Sequence, residues 1–537
     1  MRHHRTSGAK YQASQEPCEV IVGVQTEPDC ESTFWHRKEQ VAGAVRQEGL
    51  MRQGRIGRRE FLQAAVGAAW VLVGSGLSGC TEIQIASARS IVRKPNLVFI
   101  FADQWRAEAT GYAGNKDVRT PNLDKLAQES VNFSNAVSCC PVCSPYRASL
   151  MTGRYPLSHG VFLNDVRLSN KAVSIAQAFN QAGYETGYIG KWHLDGDKRS
   201  VFIPKERRQG FKHWRAMGCT HDYNNSFYFG DEDVKLRWDG YDAIAQTCEV
   251  RQYVREHNHG RPFAVFLSWG PPHDPYETAP QKYRDLIEPE SLTLRPNVPG
   301  DFESQAREAL AGYYAHIAVL DECVGEILRT LKELGLEENT IVVFTSDHGD
   351  MLFSQGQRKK QKPWDESILV PFLVRYPAEL GRKGRTIDMP INTPDIMPTL
   401  LGLCGIEIPE TVEGKDFSDI VRGEAKAGDN AALISCPSPF GQWKRSDGGK
   451  EYRGVRTRRY TYVRDLNGPW LLYDNQEDPY QLNNFCIKPE YSKLQKELDG
   501  VLSEKLKQTN DEFLPGQEYI KMWGYFVDRS GTVPYSM

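Results

Sequence analysis

The sequence predicts an α/β fold: a mostly parallel central sheet sandwiched by helices, followed by a small C-terminal α+β subdomain. Three observations carry this. Short continuous apolar runs, rich in β-branched and aromatic residues, recur between residues 96 and 345, as in strands buried on both faces of a parallel sheet. Each run leads into a cluster of polar residues. After about residue 430 the texture changes to shorter runs that alternate like antiparallel strands. A chain of 537 residues exceeds one average domain, so a large core with an appendage is expected.

The first 94 residues read as an address. Residues 1–50 are polar, lack apolar periodicity and precede Met51, which opens the kind of basic segment an export signal starts with; a non-native or disordered extension is expected there. Within 51–80, Arg58-Arg59 stands before the apolar, glycine-containing run 64–73, and Leu77-Ser78-Gly79-Cys80 follows. Paired arginines and this tetrapeptide are similar to a twin-arginine lipoprotein signal, with Cys80 acylated as the mature N-terminus. The apolar run falls short of the ~20 residues of a spanning helix. The expected location is therefore the periplasm or cell surface of a bacterium, tethered by lipid, with 81–94 as a linker.

Residues 95–430 are expected to form the catalytic domain. The run 96–102, Asn-Leu-Val-Phe-Ile-Phe-Ala, places Asp103 at a strand's carboxyl end. The run 263–267 leads into Pro271-Pro272-His273-Asp274. Apolar residues at helical spacing fill 307–334, with Gly335 as the stop, and 340–345 ends in Ser346-Asp347-His348-Gly349-Asp350. Ligands of open parallel sheets lie beyond the carboxyl strand ends, so these clusters point to one site. In the subdomain 431–537, strands are expected at 452–457 and 460–464 and a helix at 491–507. Composition adds exclusions: a formal net charge of −3 leaves no electrostatic footprint for nucleic acid, and twelve cysteines are too sparse for a disulfide scaffold.

The segment Cys143-Ser144-Pro145-Tyr146-Arg147, continuing to Thr152-Gly153-Arg154, carries the chemistry. Pro145 suits the first turn of a helix and places residue 143 at its amino end, where free N–H groups favour an anion; Arg147 adds a fixed positive charge. Cys140 and Cys143 also read as a Cys-x-x-Cys pair, but no second such pair accompanies them. The segment resembles the nucleophile signature of the type I sulfatases, Cys-x-Pro-x-Arg followed by Thr-Gly, with Tyr146 where Ser or Ala is usual, and the resemblance extends over about 95–485. It implies an alkaline-phosphatase-like α/β/α sandwich. It also implies that a formylglycine-generating maturation enzyme oxidises Cys143 to formylglycine. The hydrated aldehyde then attacks sulfur, the alcohol leaves, and the second hydroxyl expels sulfate.

By the same resemblance Asp103, Gln104, Asp347 and His348, with residue 143, would bind one divalent metal ion. Oxygen donors favour calcium. Sulfatases commonly carry Asp at the place of Gln104 and Asn at that of His348; imidazole admits manganese or zinc, and the Asp-Gln and Asp-His pairs are similar to the choline-sulfatase and phosphonate-monoester-hydrolase branch. Lys191 and His193, in Gly190-Lys191-Trp192-His193, would lie beside the formylglycine and sulfate, His273 near the leaving oxygen as general acid, and Lys360 on sulfate oxygens, with Lys359 and Lys362 close by. Trp105, Arg106, His221, Tyr276 and Trp364 are candidate pocket residues by proximity. The expected function is hydrolysis of sulfate esters, in sulfated carbohydrates or small molecules. The alternatives are a phosphonate or phosphate ester hydrolase of the same superfamily and a non-catalytic carbohydrate-binding lipoprotein.

Overall fold

In the computed structural model, which describes residues 94–257, 260–425 and 430–537, the apolar runs become adjacent strands of one sheet. The signal and lipobox within 51–80 lie outside the described residues, as does the linker up to residue 93. The elements that position the site are, in chain order, β1 (Asn96–Asp103), α1 (Cys143–Thr152), β2 (Glu185–Lys191), β3 (His213–Met217), β4 (Phe263–Pro272), α2 (Glu303–Glu333), β5 (Thr340–Ser346) and β6 (Phe372–Arg375). Among the described residues these strands belong to a ten-stranded sheet, in the order β6-β5-β1-β4-β2-β3 at its centre. All neighbours in that run are parallel except β6, which is antiparallel to β5.

The continuous apolar character of β1 follows from its place in the middle. Leu97, Phe99 and Phe101 enter one apolar layer; Val98, Ile100 and Ala102 enter the other. Helix α1 lies in the first layer and α2 in the second, where Leu310, Ile317 and Val324 meet the sheet, giving the α/β/α sandwich. Each such side chain contributes roughly 1.5–3 kcal/mol on burial. Helix α2 begins at Glu303, four residues before the periodic stretch, because a single 3-10 turn at Gly300–Phe302 runs directly into it. The register sets Ala102 beside Ser346, so Asp103 and Asp347 leave the sheet at the same level.

The C-terminal part holds an antiparallel sheet of β7 (Ala431–Cys436), β8 (Tyr452–Thr457), β9 (Tyr460–Asp465) and β10 (Gly468–Asp474). Helix α3 (Ser492–Gln508) covers it, with Leu498 and Leu502 packed against Val455, Tyr462 and Leu472. This sheet also braces the segment before the nucleophile position: the Ser435 N–H donates to the Cys139 carbonyl at 2.8 Å.

Three of the candidate pocket residues turn out to be packing residues. Trp105 is fully buried, meets Phe344 edge-on at 5.1 Å and donates its indole N–H to the Ala109 carbonyl. Arg106 is buried against Glu108 at 3.3 Å. Trp364 lies against Trp470 at 5.9 Å and donates to the Tyr473 hydroxyl, on the seam with the C-terminal sheet. The two tryptophans turn toward aromatic neighbours and Arg106 toward a carboxylate, although the backbone of each is close to a motif.

Candidate active site

Helix α1 starts at Cys143, with Val142 as an extended N-cap and Pro145 in the first turn. All ten of its residues are buried, so its positive amino end is not screened by water. Four groups converge on the Cys143 sulfur. Lys360 Nζ lies at 3.1 Å, His348 Nε2 at 3.3 Å, Asp103 Oδ1 at 3.5 Å and Lys191 Nζ at 3.8 Å. Burial, and the charge of Asp103, would raise the thiol's pKa; Lys191, Lys360 and His348 outweigh them and hold it well below the usual range. Cys140 shows the contrast, since burial pushes its thiol well up, with Cys436 and Cys139 adding to it.

Arg147 is the keystone of the floor. Its Nη2 donates to Asp103 Oδ2 and Asp347 Oδ2, both at 3.0 Å, and its Nη1 donates to the Lys191 carbonyl at 2.8 Å and Ser268 Oγ at 2.6 Å. Lys191 Nζ adds a 2.6 Å contact to Asp103 Oδ2. Gly190 lets β2 come this close to β4, because a Cβ there would lie 2.0 Å from the Ser268 carbonyl oxygen. The two carboxylates share one basin and behave differently. Burial would raise both; Lys191, His273, Lys360 and Arg147 hold Asp103 well below the carboxylate range, whereas burial and the charge of Asp103 push Asp347 up to about 6.

This donor set fits a divalent cation. Ligand atoms of Asp103, Cys143, Asp347 and His348 all lie within 4.8 Å of one another, and all four residues are buried. Gln104 stands next to them, at a backbone φ of 69° that turns the chain sharply after β1. Its amide Nε2 is held by Asp350 Oδ2 at 2.7 Å, the Tyr276 hydroxyl and Asp274, while its Oε1 is buried without a hydrogen-bond partner among the described residues. A carbonyl oxygen left so is suited to a cation's shell, and a cation would relieve the repulsion between Asp103 and Asp347.

Opposite the carboxylates, Lys360 Nζ lies 2.8 Å from His273 Nε2, and His273 Nδ1 lies 2.8 Å from the Asp274 carbonyl oxygen. That carbonyl can only accept, so His273 is protonated at Nδ1 and takes a hydrogen bond from Lys360 at Nε2. Burial, then Lys360 and His221, push the His273 pKa well down, so the mobile proton of the pair rests on Lys360. Of the neighbouring lysines, Lys359 turns to Asp274 at 3.0 Å, and Lys362 bonds back to the Arg358 and Lys360 carbonyls, with burial pushing its pKa down to about 7. His221 stacks on His273 at 4.5 Å, and Tyr276 stands behind Gln104.

His193 lies on the other flank, at a φ of 56°, with Nε2 3.1 Å from Asp165 Oδ1. Asp165, Asp350 and Ser268 were not among the sequence candidates. Asp350 alone had a local signal, standing three residues after Asp347; Asp165 and Ser268 sit in stretches without a motif.

Residues 95–406 match the family model described as Sulfatase, and 355–509 match one described as N-sulphoglucosamine sulphohydrolase, C-terminal. The chain is 47% identical to an ulvan-active sulfatase of Formosa agariphila, over 82% of this chain and 87% of that protein. A candidate sulfatase from Bacteroides fragilis superposes with a TM-score of 0.72 at 34% identity, over 80% of this chain and 98% of that one. The phosphonate monoester hydrolase of Agrobacterium radiobacter is more distant, with a TM-score of 0.64 at 25% identity over 78% and 96%.

Proposed function

The chain belongs to the sulfatase family and is a sulfuric ester hydrolase, and from that premise we propose that it removes sulfate from sulfated carbohydrate with a formylglycine formed from Cys143 and one divalent cation. The observation that carries the reading is the convergence of Lys191, Lys360, His348 and Asp103 on one sulfur at the amino end of a wholly buried helix.

When formed, the formylglycine supplies a nucleophile that frees itself after transfer. When bound by Asp103, Gln104, Asp347 and His348, the cation supplies Lewis-acid polarisation of a sulfate oxygen. The chain's own residues do the rest. Lys191 and Lys360 hold the sulfate oxygens, where charge accumulates in the transition state. Lys360 and His273 deliver a proton to the departing sugar oxygen, so that it leaves as an alcohol. His193 stands on the nucleophile's side with Nε2 held by Asp165; burial would lower its pKa, but Cys219 and Asp165 raise it. Arg147 keeps Asp103 and Asp347 in position. Three of the four cation ligands offer oxygen, which supports calcium, while His348 admits manganese or zinc.

The ulvan-active relative supports a sulfated polysaccharide or its oligosaccharides as the substrate. The test is sulfate release by protein co-expressed with a formylglycine-generating enzyme, measured by ion chromatography. The panel holds sulfated oligosaccharides, ulvan fragments among them, with choline sulfate and an aryl phosphonate as comparators. Release from sugars at rates above the comparators is expected. Turnover of the phosphonate with no sulfate from any sugar would sink the carbohydrate reading. The reading extends to location: Arg58-Arg59 and Leu77-Ser78-Gly79-Cys80 support export and acylation at Cys80. Labelled palmitate should enter the wild type and not Cys80→Ser; an unlabelled wild type in the cytoplasm would reject it.

A further inference from the structure

His193 is held from behind by a series of contacts that ends at residues 535 and 536. Asp165, whose Oδ1 meets His193 Nε2, also accepts Arg199 Nε at Oδ1 and Arg199 Nη2 at Oδ2, both at 2.7 Å. The side chains of His193, Asp165 and Arg199 are only 3%, 0% and 9% exposed. Burial would raise the pKa of Asp165, but His193 and Arg199 hold it well below the carboxylate range. The guanidinium is then capped on its face by Tyr535, with Arg199 Cζ 3.4 Å from the ring centroid.

The backbones repeat this layering. Arg199 N–H donates to the Ser536 carbonyl at 3.0 Å, and Ser536 N–H donates to the Asp197 carbonyl at 2.8 Å. On the inner side Cys219 N–H donates to the Arg199 carbonyl at 3.3 Å, and His193 N–H donates to the Gly218 carbonyl at 2.8 Å. Gly218 is required there, since a Cβ would lie 2.5 Å from the Arg199 carbonyl oxygen. Residues 535–536, 197–199, 218–219 and 193 thus form successive layers leading into the site. Because ionised Asp165 accepts from Nε2–H, that bond fixes how the His193 ring sits, with Nδ1 buried and without a hydrogen bond among the described residues.

We propose that Asp165, Arg199 and Tyr535 are positioning residues that fix the orientation and tautomer of His193, making residues 535–536 part of the support of the active site. Tyr535 itself is 47% exposed and touches the guanidinium, not the nucleophile. Without its ring, Arg199 can swing toward water, Asp165 loses its bidentate partner, and the imidazole loses its single orientation. A misplacement near 1 Å costs about a hundredfold in rate.

The proposal rests on the sulfatase reading for its kinetic test and is independent of it for its spectroscopic one. Full-length wild type, Tyr535→Ala and Tyr535→Phe, each matured by a formylglycine-generating enzyme, are compared for kcat and KM in sulfate release from an aryl sulfate. The tautomer of His193 is read by 15N NMR of histidine-labelled protein, assigned with His193→Asn. Tyr535→Ala should lower kcat about tenfold or more with KM within about twofold, and Tyr535→Phe should recover to within about threefold. His193 should give one tautomer in wild type and Tyr535→Phe and an averaged signal in Tyr535→Ala. The proposal is overturned if Tyr535→Ala keeps kcat, if it raises KM alone, which would make Tyr535 a substrate contact, or if the tautomer signal does not change. Should the wild type release no sulfate, the sulfatase reading fails and the tautomer comparison alone decides. If Tyr535→Ala does not fold, Arg199→Lys, which keeps the charge and loses the bidentate fork, takes its place with the same outcomes.

Discussion

Replacing Arg147 by Met keeps most of the side-chain stem and removes a fully buried guanidinium that makes four hydrogen bonds. Asp103 retains the 2.6 Å contact from Lys191, whereas Asp347 keeps only the Gln104 N–H at 3.0 Å and His348 at 3.5 Å. Leaving a buried carboxylate short of its partner costs about 3–5 kcal/mol. An unfolding entropy of ~2.1 cal/mol/K per residue over roughly 440 folded residues converts this to about 3–5 °C in the melting midpoint. The loss depends on pH. Asp347 already sits at about 6, above its unfolded value, and removing Arg147 moves it further up. A raised carboxyl pKa means that the folded state keeps a proton the unfolded state gives up, so stability is full at low pH and lost as pH rises through the folded pKa. Calorimetry in EDTA should therefore find the deficit of Arg147→Met larger at pH 8 than at pH 5. A midpoint within about 1 °C of wild type at pH 8, or a larger deficit at pH 5, would refute the reasoning.

Other outcomes follow from the same geometry. Lys360→Ala should lower kcat/KM about 10²–10³-fold in sulfate-release assays, because it removes both an oxyanion contact and the proton that Lys360 shares with His273. His273→Gln should slow release from alkyl sugar sulfates about 10²–10⁴-fold and matter far less for an aryl sulfate whose leaving group needs no proton, as rates across leaving groups will show. Calcium at about a hundred times its dissociation constant should stabilise EDTA-treated protein by about 2.7 kcal/mol in thermal melts, and Gln104→Leu should need more calcium for the same shift. Asp242 is a buried acid that burial pushes up to about 8, with Oδ1 unpartnered among the described residues. Its stability contribution fades as pH rises from about 4 to 8, so Asp242→Asn should raise the midpoint by about 2 °C or more at pH 8 and change it little at pH 4.

The central strands were legible because a strand buried on both faces has no polar face to interrupt its sequence; 96–102 and 340–345 carry that pattern and lie side by side. Asp103, Lys191 and His348 come together because their strands end at the same edge of the sheet, where helix α1 begins at Cys143 and the loop carrying Lys360 closes over. The choice of Lys360 over its neighbours Lys359 and Lys362 has a structural reason as well. It is made by the backbone: Lys359 and Gln361 sit at φ of 61° and 76°, turning Lys360 inward and Lys359 outward. Nearness to a motif says nothing about which way a large apolar ring turns, and Trp105 turns into the core against Phe344. Asp165, Arg199 and Tyr535 stayed invisible for another reason. Asp165 reaches His193 from 28 residues away, and Arg199 and Tyr535 act on it only through Asp165, without a local pattern to betray the series.

The most direct measurement takes one sample of protein matured with a formylglycine-generating enzyme and determines both the mass of the tryptic peptide spanning residue 143 and sulfate release from an aryl sulfate. If Cys143 is the precursor of the nucleophile, the peptide carries an aldehyde in place of the thiol, activity scales with the converted fraction across preparations, and Cys143→Ala releases nothing. Sulfate release that persists in Cys143→Ala, or a fully converted protein that releases none, would contradict it.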